Sequence, residues 1–193
     1  MKNNHFDLAS MKPLWNEPKK VESIMAAHGT MKDSGGSEKG IFLYTEKSVV
    51  NGDNGSICFT YQPGTLFRSV TDQYLVLANQ AGNNKLIFID KFSGEKREEI
   101  TIDNLPQKIK GLYGCTVLFE NDSILCLSVK LLSLKGKIPG YDSRLLLIRK
   151  SDFTVRDISM GSNVNDFGIR IRPEENLVFI PGIRKVGSFR LPQ

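Results

Sequence analysis

Residues 83–102 read NNKLIFIDKFSGEKREEITI. Leu86, Ile87, Phe88 and Ile89 form an unbroken apolar run rather than an alternating one. In an antiparallel protein such a run predicts a strand covered on both faces. Asp90 and the Ser93-Gly94 pair then read as a turn, because Asp bonds its own backbone and Gly supplies positive φ. The charged residues 95–99 and the short run 100–102 follow as an outer strand. The same order recurs elsewhere in the chain.

From Ile41 onward the pattern is strand and turn. GIFLYTEKSVV (40–50) and SICFTYQ (56–62) are β-rich and are joined by NGDNG (51–55), whose Asn-Gly pairs favour a hairpin turn. QYLVLANQ (73–80) precedes KLIFIDK (85–91). CTVLFE (115–120) and SILCLSVKLLSL (123–134) are separated by Asn121-Asp122, and SRLLLIRK (143–150) and FTVRDISM (153–160) by Ser151-Asp152. FGIRIR (167–172), NLVFIPG (176–182) and KVGSFRL (185–191) close the chain. About a dozen short strands with no long helix after residue 40 predict an all-β sandwich, barrel or propeller.

Aligned by their turns, residues 71–102 and 120–160 share one order: a polar corner, two apolar strands and an outer strand. The second unit has a longer insertion between its central strands. Residues 172–191 offer the corner and both central strands, and residues 40–62 a strand pair at the front. About four units result. In IFIDKFSGE (87–95) an apolar strand precedes Asp-x-x-Ser-Gly, and RPEENLVF (172–179) is a polar corner before a strand. In these features the chain resembles the β-propeller families of the WD-repeat and quinoprotein type. Trp15 is the only tryptophan, so the Trp-Asp dipeptide of those repeats is absent. The resemblance implies irregular antiparallel sheet repeats forming a small or incomplete propeller of about four blades. It implies either a minimal closed ring, a ring completed by several chains, or an open edge that something covers.

The 193 residues carry 40% hydrophobic and 24% charged residues, enough for a buried core without staples. The formal charge is +5, and residues 111–193 hold most of the excess, with twelve basic against eight acidic residues. A basic half prefers an acidic partner, although no polybasic block exists. Cys58, Cys115 and Cys126 match no zinc or haem spacing. Cys115 and Cys126 sit among apolar neighbours and read as buried reduced thiols, with a Cys115–Cys126 bridge as the alternative. No apolar run approaches the ~18 residues of a membrane span, and no secretory signal is visible, so a cytoplasmic location is expected.

Residues 1–40 differ from the rest and read as an N-terminal arm, with residues 41–193 as the propeller-like domain. Residues 17–29 predict one short helix, with Pro18 near its start, Gly29 as its stop, and Val21, Ile24, Met25 and His28 on one stripe. TMKDSGGSEKG (30–40) reads as a linker.

Material for catalysis is sparse. His5 and His28 are the only histidines, and both lie in the arm. No catalytic residue, metal site or cofactor is expected. Glu98 and Glu99 are adjacent on a strand and point to opposite faces, so they cannot act together on one substrate. Asp90, Asp122, Asp142 and Asp166 sit at turn positions, where capping is the expected use. The binding candidates are basic: Arg170, Arg172, Arg184, Lys185 and Arg190. In FGIRIR the alternation places Phe167, Ile169 and Ile171 on one face and Arg170 and Arg172 on the other. Arginine forks suit carboxylates and phosphates. These features point to a non-enzymatic protein-binding module whose partner has an acidic surface, with a dedicated inhibitor or immunity protein as its specific form. The alternatives are a propeller-type hydrolase or lyase with an Asp/Arg site, and a subunit that completes a ring as a homo-oligomer. Nucleic acid is a less favoured partner, since exposed aromatics do not interleave with the charges.

Overall fold

The computed structural model describes residues 5–7, 12–15, 24–28, 31–32, 38–79, 84–103, 109–135, 138–162, 169–172, 177–181 and 186–190. These residues form strands and turns, with no helix among them. Among the described residues there is accordingly no helix long and apolar enough to cross a membrane.

In chain order the strands begin with β1 (His5–Asp7) and β2 (Lys12–Trp15), a separate hairpin. β3 (Ile24–His28) follows, then a second small hairpin of β4 (Met31–Lys32) and β5 (Glu38–Lys39). β6 (Phe42–Thr45), β7 (Ser48–Asn51) and β8 (Ile57–Thr60) join β3 in sheet 1, in the order β3-β6-β7-β8. Sheet 2 is a meander of β9 (Thr65–Val70), β10 (Tyr74–Asn79), β11 (Lys85–Asp90) and β12 (Lys96–Thr101). Sheet 3 is a meander of β13 (Ile109–Glu120), β14 (Ile124–Lys135), β15 (Ile138–Arg149) and β16 (Val155–Ser162). Sheet 4 contains β17 (Arg170–Arg172), β18 (Leu177–Pro181) and β19 (Val186–Arg190). Every pairing is antiparallel. The protein is therefore all-β, built of successive antiparallel sheets.

The helix expected over residues 17–29 is corrected at its second half. Ile24–His28 is β3, with Ile24 opposite Thr45 and His28 opposite Phe42. Residues 17–23, including Pro18 and Val21, lie outside the described residues. A helix of about a dozen residues is marginal in water by itself. Strand β6 offers it a row of backbone N–H and C=O groups that an extended segment satisfies. Extension also replaces the 3.6-residue period of the helical stripe with a two-residue one, interrupted by a register shift between Ile24 and Ala26. Met25 is half-exposed.

Three apolar clusters join successive sheets. Tyr44 and Val49 of sheet 1 meet Phe67, Leu75, Leu77 and Ile87 of sheet 2. Val76, Leu86 and Phe88 of sheet 2 meet Leu125, Leu127 and Leu146 of sheet 3. Cys126, Leu145 and Leu147 of sheet 3 meet Ile169 and Val178 of sheet 4. The pleat explains the division: along β10, Leu75 and Leu77 serve one cluster while Val76 and Ala78 serve the next. Along β15, Leu145 and Leu147 face sheet 4 while Leu146 and Ile148 face sheet 2. All eight side chains are 1% exposed or less, so the continuous apolar runs do mark strands covered on both faces. Each leucine, isoleucine or valine among them contributes about 1.5–3 kcal/mol relative to an exposed one.

The turns follow the local chemistry. In the β7–β8 turn the Asn51 side chain accepts the Asp53 N–H at 2.8 Å, and Gly55 takes φ +74°. In the β11–β12 turn Asp90 Oδ1 accepts the N–H groups of Phe92 and Ser93, each at 3.0 Å. Burial alone would raise the Asp90 carboxyl, but these N–H groups and Arg97 outweigh it and hold the carboxyl below its ordinary value. Gly94 is required there twice over: its φ is +76°, and an added Cβ would lie 3.1 Å from the Phe59 ring. In the β13–β14 turn the cap is Asn121, whose Oδ1 accepts the N–H groups of Ser123 and Ile124. The Asp122 beside it was the expected cap. Asp142 is not in a turn; it lies in β15, where its carboxylate accepts from Arg144 Nε at 3.3 Å. Asp166 lies outside the described residues. Phe153, in the β15–β16 turn, holds φ +54°, a left-handed conformation costly for an aromatic residue. Its ring packs on Tyr74 at 5.5 Å and on Phe88 at 5.4 Å, which offsets that cost.

Candidate functional site

Two of the five expected basic residues are described with their side chains. Arg170 and Arg172 are exposed on β17, while Ile169 is buried and Ile171 half-buried in the cluster against sheet 3. The alternation read in the sequence is therefore present over residues 169–172, while Phe167 lies outside the described residues. Arg170 Nη1 donates to the Ile169 carbonyl at 3.1 Å, which orients its guanidinium. The register sets Arg172 opposite Leu177 and Leu177 opposite Arg190. Positions 172 and 190 thus lie two strands apart, about 10 Å. Arg184 and Lys185 lie outside the described residues.

A second feature, not found in the sequence, occupies the turn end of sheets 2 and 3. In a meander the first and third turns fall at the same end, so Thr71–Gln73 and Lys91 of sheet 2 meet Asn121–Ser123 and Lys150 of sheet 3. There Lys150 Nζ donates to Glu120 Oε1 and to the Asn121 carbonyl, each at 3.0 Å. Both side chains of this pair are only 7% exposed. Glu120 Oε2 accepts the Asp72 N–H at 2.6 Å and so reaches across to sheet 2. Lys91, also buried, donates to the Thr71 carbonyl at 3.1 Å. Burial pushes the Lys91 ammonium below its ordinary value, against the pull of Asp72 and Glu120. Beside this group opens a cavity of about 390 Å³, lined by Gln73, Asp122, Ser123, Arg149, Lys150 and Ser151 with Ile124. A signal was available: Glu120 and Lys150, opposite in charge, each directly precede the turn signals Asn-Asp and Ser-Asp. It carries meaning only once those two turns are known to share an end.

A third group joins the first strands of sheets 2 and 3. Arg68 on β9 donates from Nη2 to the Leu112 carbonyl at 3.3 Å and from Nη1 to the Tyr113 carbonyl at 3.4 Å, both on β13. Burial lowers its pKa. Its Nε is buried with no partner among the described residues. Tyr113 and Tyr141 are exposed and lie face-tilted at 4.7 Å between ring centroids.

None of the three cysteines is in a disulfide. Cys115 and Cys126 are buried, as read from the sequence, but they belong to clusters on opposite faces of sheet 3, so a bridge between them has no geometry. Burial pushes the Cys126 thiol up to about 12. Cys58 is exposed on β8, and partial burial still raises its thiol. We expect one cysteine to react with maleimide in the native protein and three in denaturant, the native rate rising with pH as the Cys58 thiolate forms. Mass spectrometry of the adduct checks this, and native labelling at position 115 or 126 would contradict the burial described.

Glu99 is held down to about 2 by hydrogen bonds from Lys85 and Lys96, so it is committed to a surface ion-pair group. Its neighbour Glu98 is exposed and accepts the Glu99 N–H at 2.8 Å. No group of three or more His, Cys, Asp or Glu able to hold a metal ion occurs among the described residues. The chain matches no protein-family model, and no curated protein is significantly similar to it.

Proposed function

We propose that the chain is a non-enzymatic protein-binding module on a β-propeller-like scaffold, and that its basic last sheet contacts an acidic surface of the partner. A dedicated inhibitor or immunity protein is the specific form of this reading. The observation that carries it is the face of β17: Arg170 and Arg172 are exposed while the residues between and before them pack inward. A strand rigidly seated on a core presents its arginines with little further loss of freedom, which suits forked recognition of carboxylates. The propeller-like scaffold is supported by the order of the chain: consecutive meanders, packed face to face by clusters that alternate along each central strand.

The test uses tagged full-length protein, captured from lysate of its own source with and without nuclease, beside the Arg170→Glu/Arg172→Glu variant. We expect one nuclease-resistant protein at near-stoichiometric yield. The variant should weaken its retention about tenfold or more, with unfolding unchanged. Equal retention by the variant would remove the arginine face from the interface. Retention lost on nuclease treatment would replace the protein partner with nucleic acid.

A second reading has one specific observation. Sheets 1 to 3 have four strands each, while sheet 4 has three among the described residues, with β19 at its edge. A copy of the chain that supplied a strand to that edge would complete the sheet. Molar mass by light scattering separates the two: a monomer at micromolar concentration excludes this second reading.

A further inference from the structure

We propose that the cavity at the turn end of sheets 2 and 3 is a binding site for a singly charged carboxylate. The class follows from what faces the opening. Of the lining side chains, Arg149 and Lys150 are donors only and Gln73, Ser123 and Ser151 can either donate or accept, against one carboxylate, Asp122. Lys150 already gives two hydrogen bonds, to Glu120 and to the Asn121 carbonyl, and a lysine ammonium has three to give. Because it is buried and held at two points, it is fixed before any ligand arrives. Arg149 is more exposed and is paired to Asp152 at 3.2 Å, an exchangeable surface pair. Its planar fork matches a carboxylate in two hydrogen bonds.

The charge around the site decides against a dianion. Asp72, Glu120, Asp122 and Asp152 all lie in or beside this turn end, four carboxylates against the three cations Lys91, Arg149 and Lys150, whereas the cavity lining itself carries two cations, Arg149 and Lys150, and one carboxylate, Asp122. A phosphate would bring a second negative charge to a lining whose excess is a single positive charge, whereas a carboxylate brings one charge and the flat geometry the fork wants. The volume of about 390 Å³ lies within the range of small-molecule sites and also admits a single Asp or Glu side chain of a partner protein. The site uses none of the basic positions of sheet 4, so its failure would leave the reading of that sheet standing.

The experiment is a two-dimensional amide NMR titration of the full chain. One arm adds sodium acetate, a second adds a blocked Gly-Glu-Gly peptide, and a third adds sodium chloride at matched ionic strength. We expect saturable shifts at Ser123, Arg149, Lys150 and Ser151 with both carboxylates and none of that form with chloride. Arg149→Ala should weaken binding about tenfold, Arg149→Lys less, and Asp122→Asn should tighten it severalfold by removing the opposing charge. Equal binding of acetate and peptide assigns a free small carboxylate, and tighter binding of the peptide by tenfold assigns a protein side chain. Linear shifts, shifts matched by chloride, or binding unaffected by Arg149→Ala would overturn the proposal. Arg149 is exposed, so the spectrum away from the turn end reports whether each variant is folded.

Discussion

Replacing Lys150 with alanine is expected to destabilise the protein by about 3–5 kcal/mol. The loss does not come from the ion pair as such. Removing two charges from water is costly, and a buried pair often does little better than a well-packed apolar pair of the same volume. What the substitution leaves behind is Glu120, 7% exposed, with its Oε1 facing the vacated space. Its other oxygen remains tied to the Asp72 N–H of sheet 2, so the carboxylate cannot simply turn to water without breaking that link between sheets. A double variant, Glu120→Gln with Lys150→Met, separates the two contributions. The amide oxygen of Gln can still accept the Asp72 N–H, and Met fills the lysine's path without a charge. It should recover most of the stability, and the coupling between the two sites should exceed about 1 kcal/mol. Denaturant unfolding at unchanged m-value measures both. If Lys150→Ala and the double variant lose equal stability, the pair is better solvated than its burial implies.

Phe88→Ala is expected to cost a similar amount, about 3–5 kcal/mol, for a different reason. Phe88 is fully buried at the centre of the contact between sheets 2 and 3. Its ring lies edge-on to Tyr74 at 6.2 Å and to Phe153 at 5.4 Å, and the latter two also meet each other at 5.5 Å. Truncation removes the transfer energy of the ring, opens a cavity that two rigid sheets cannot close, and removes the contact that offsets the strained backbone of Phe153. Phe88→Leu keeps most of the apolar volume and loses the two edge contacts, each worth about 0.5–1.5 kcal/mol. It should therefore fall between wild type and alanine. Thermal or denaturant unfolding of the three proteins checks the order. A Phe88→Ala cost below about 1 kcal/mol would mean that the two sheets do not pack as described.

What could be read in the chain is what the pleat and the turns encode locally. The run 86–89 contains its own instruction: four successive apolar side chains in an extended strand must be covered on two sides, and two neighbouring sheets supply that cover. Asn51, Asp90 and Gly94 act within three or four residues of themselves, so their turns follow from sequence alone. The alternation at 169–172 is equally local. The helix expected over residues 17–29 gives way to a strand at Ile24–His28 because its stripe is local while the cause of the strand is not. The ladder that draws Ile24–His28 into extension is contributed by β6, beyond an intervening hairpin. Glu120 and Lys150 show the same limit. They are 30 residues apart, Glu120 at the end of β13 and Lys150 just past β15, with β14 between those strands in the sheet, and each alone looks like an ordinary charge at a strand end. Periodicity and turn chemistry, which depend on near neighbours, pointed to an all-β chain and to most of its strands from β6 onward. Burial and the meeting of turns, which depend on how sheets stack, decided which charges are enclosed, which thiols are hidden and where a cavity opens.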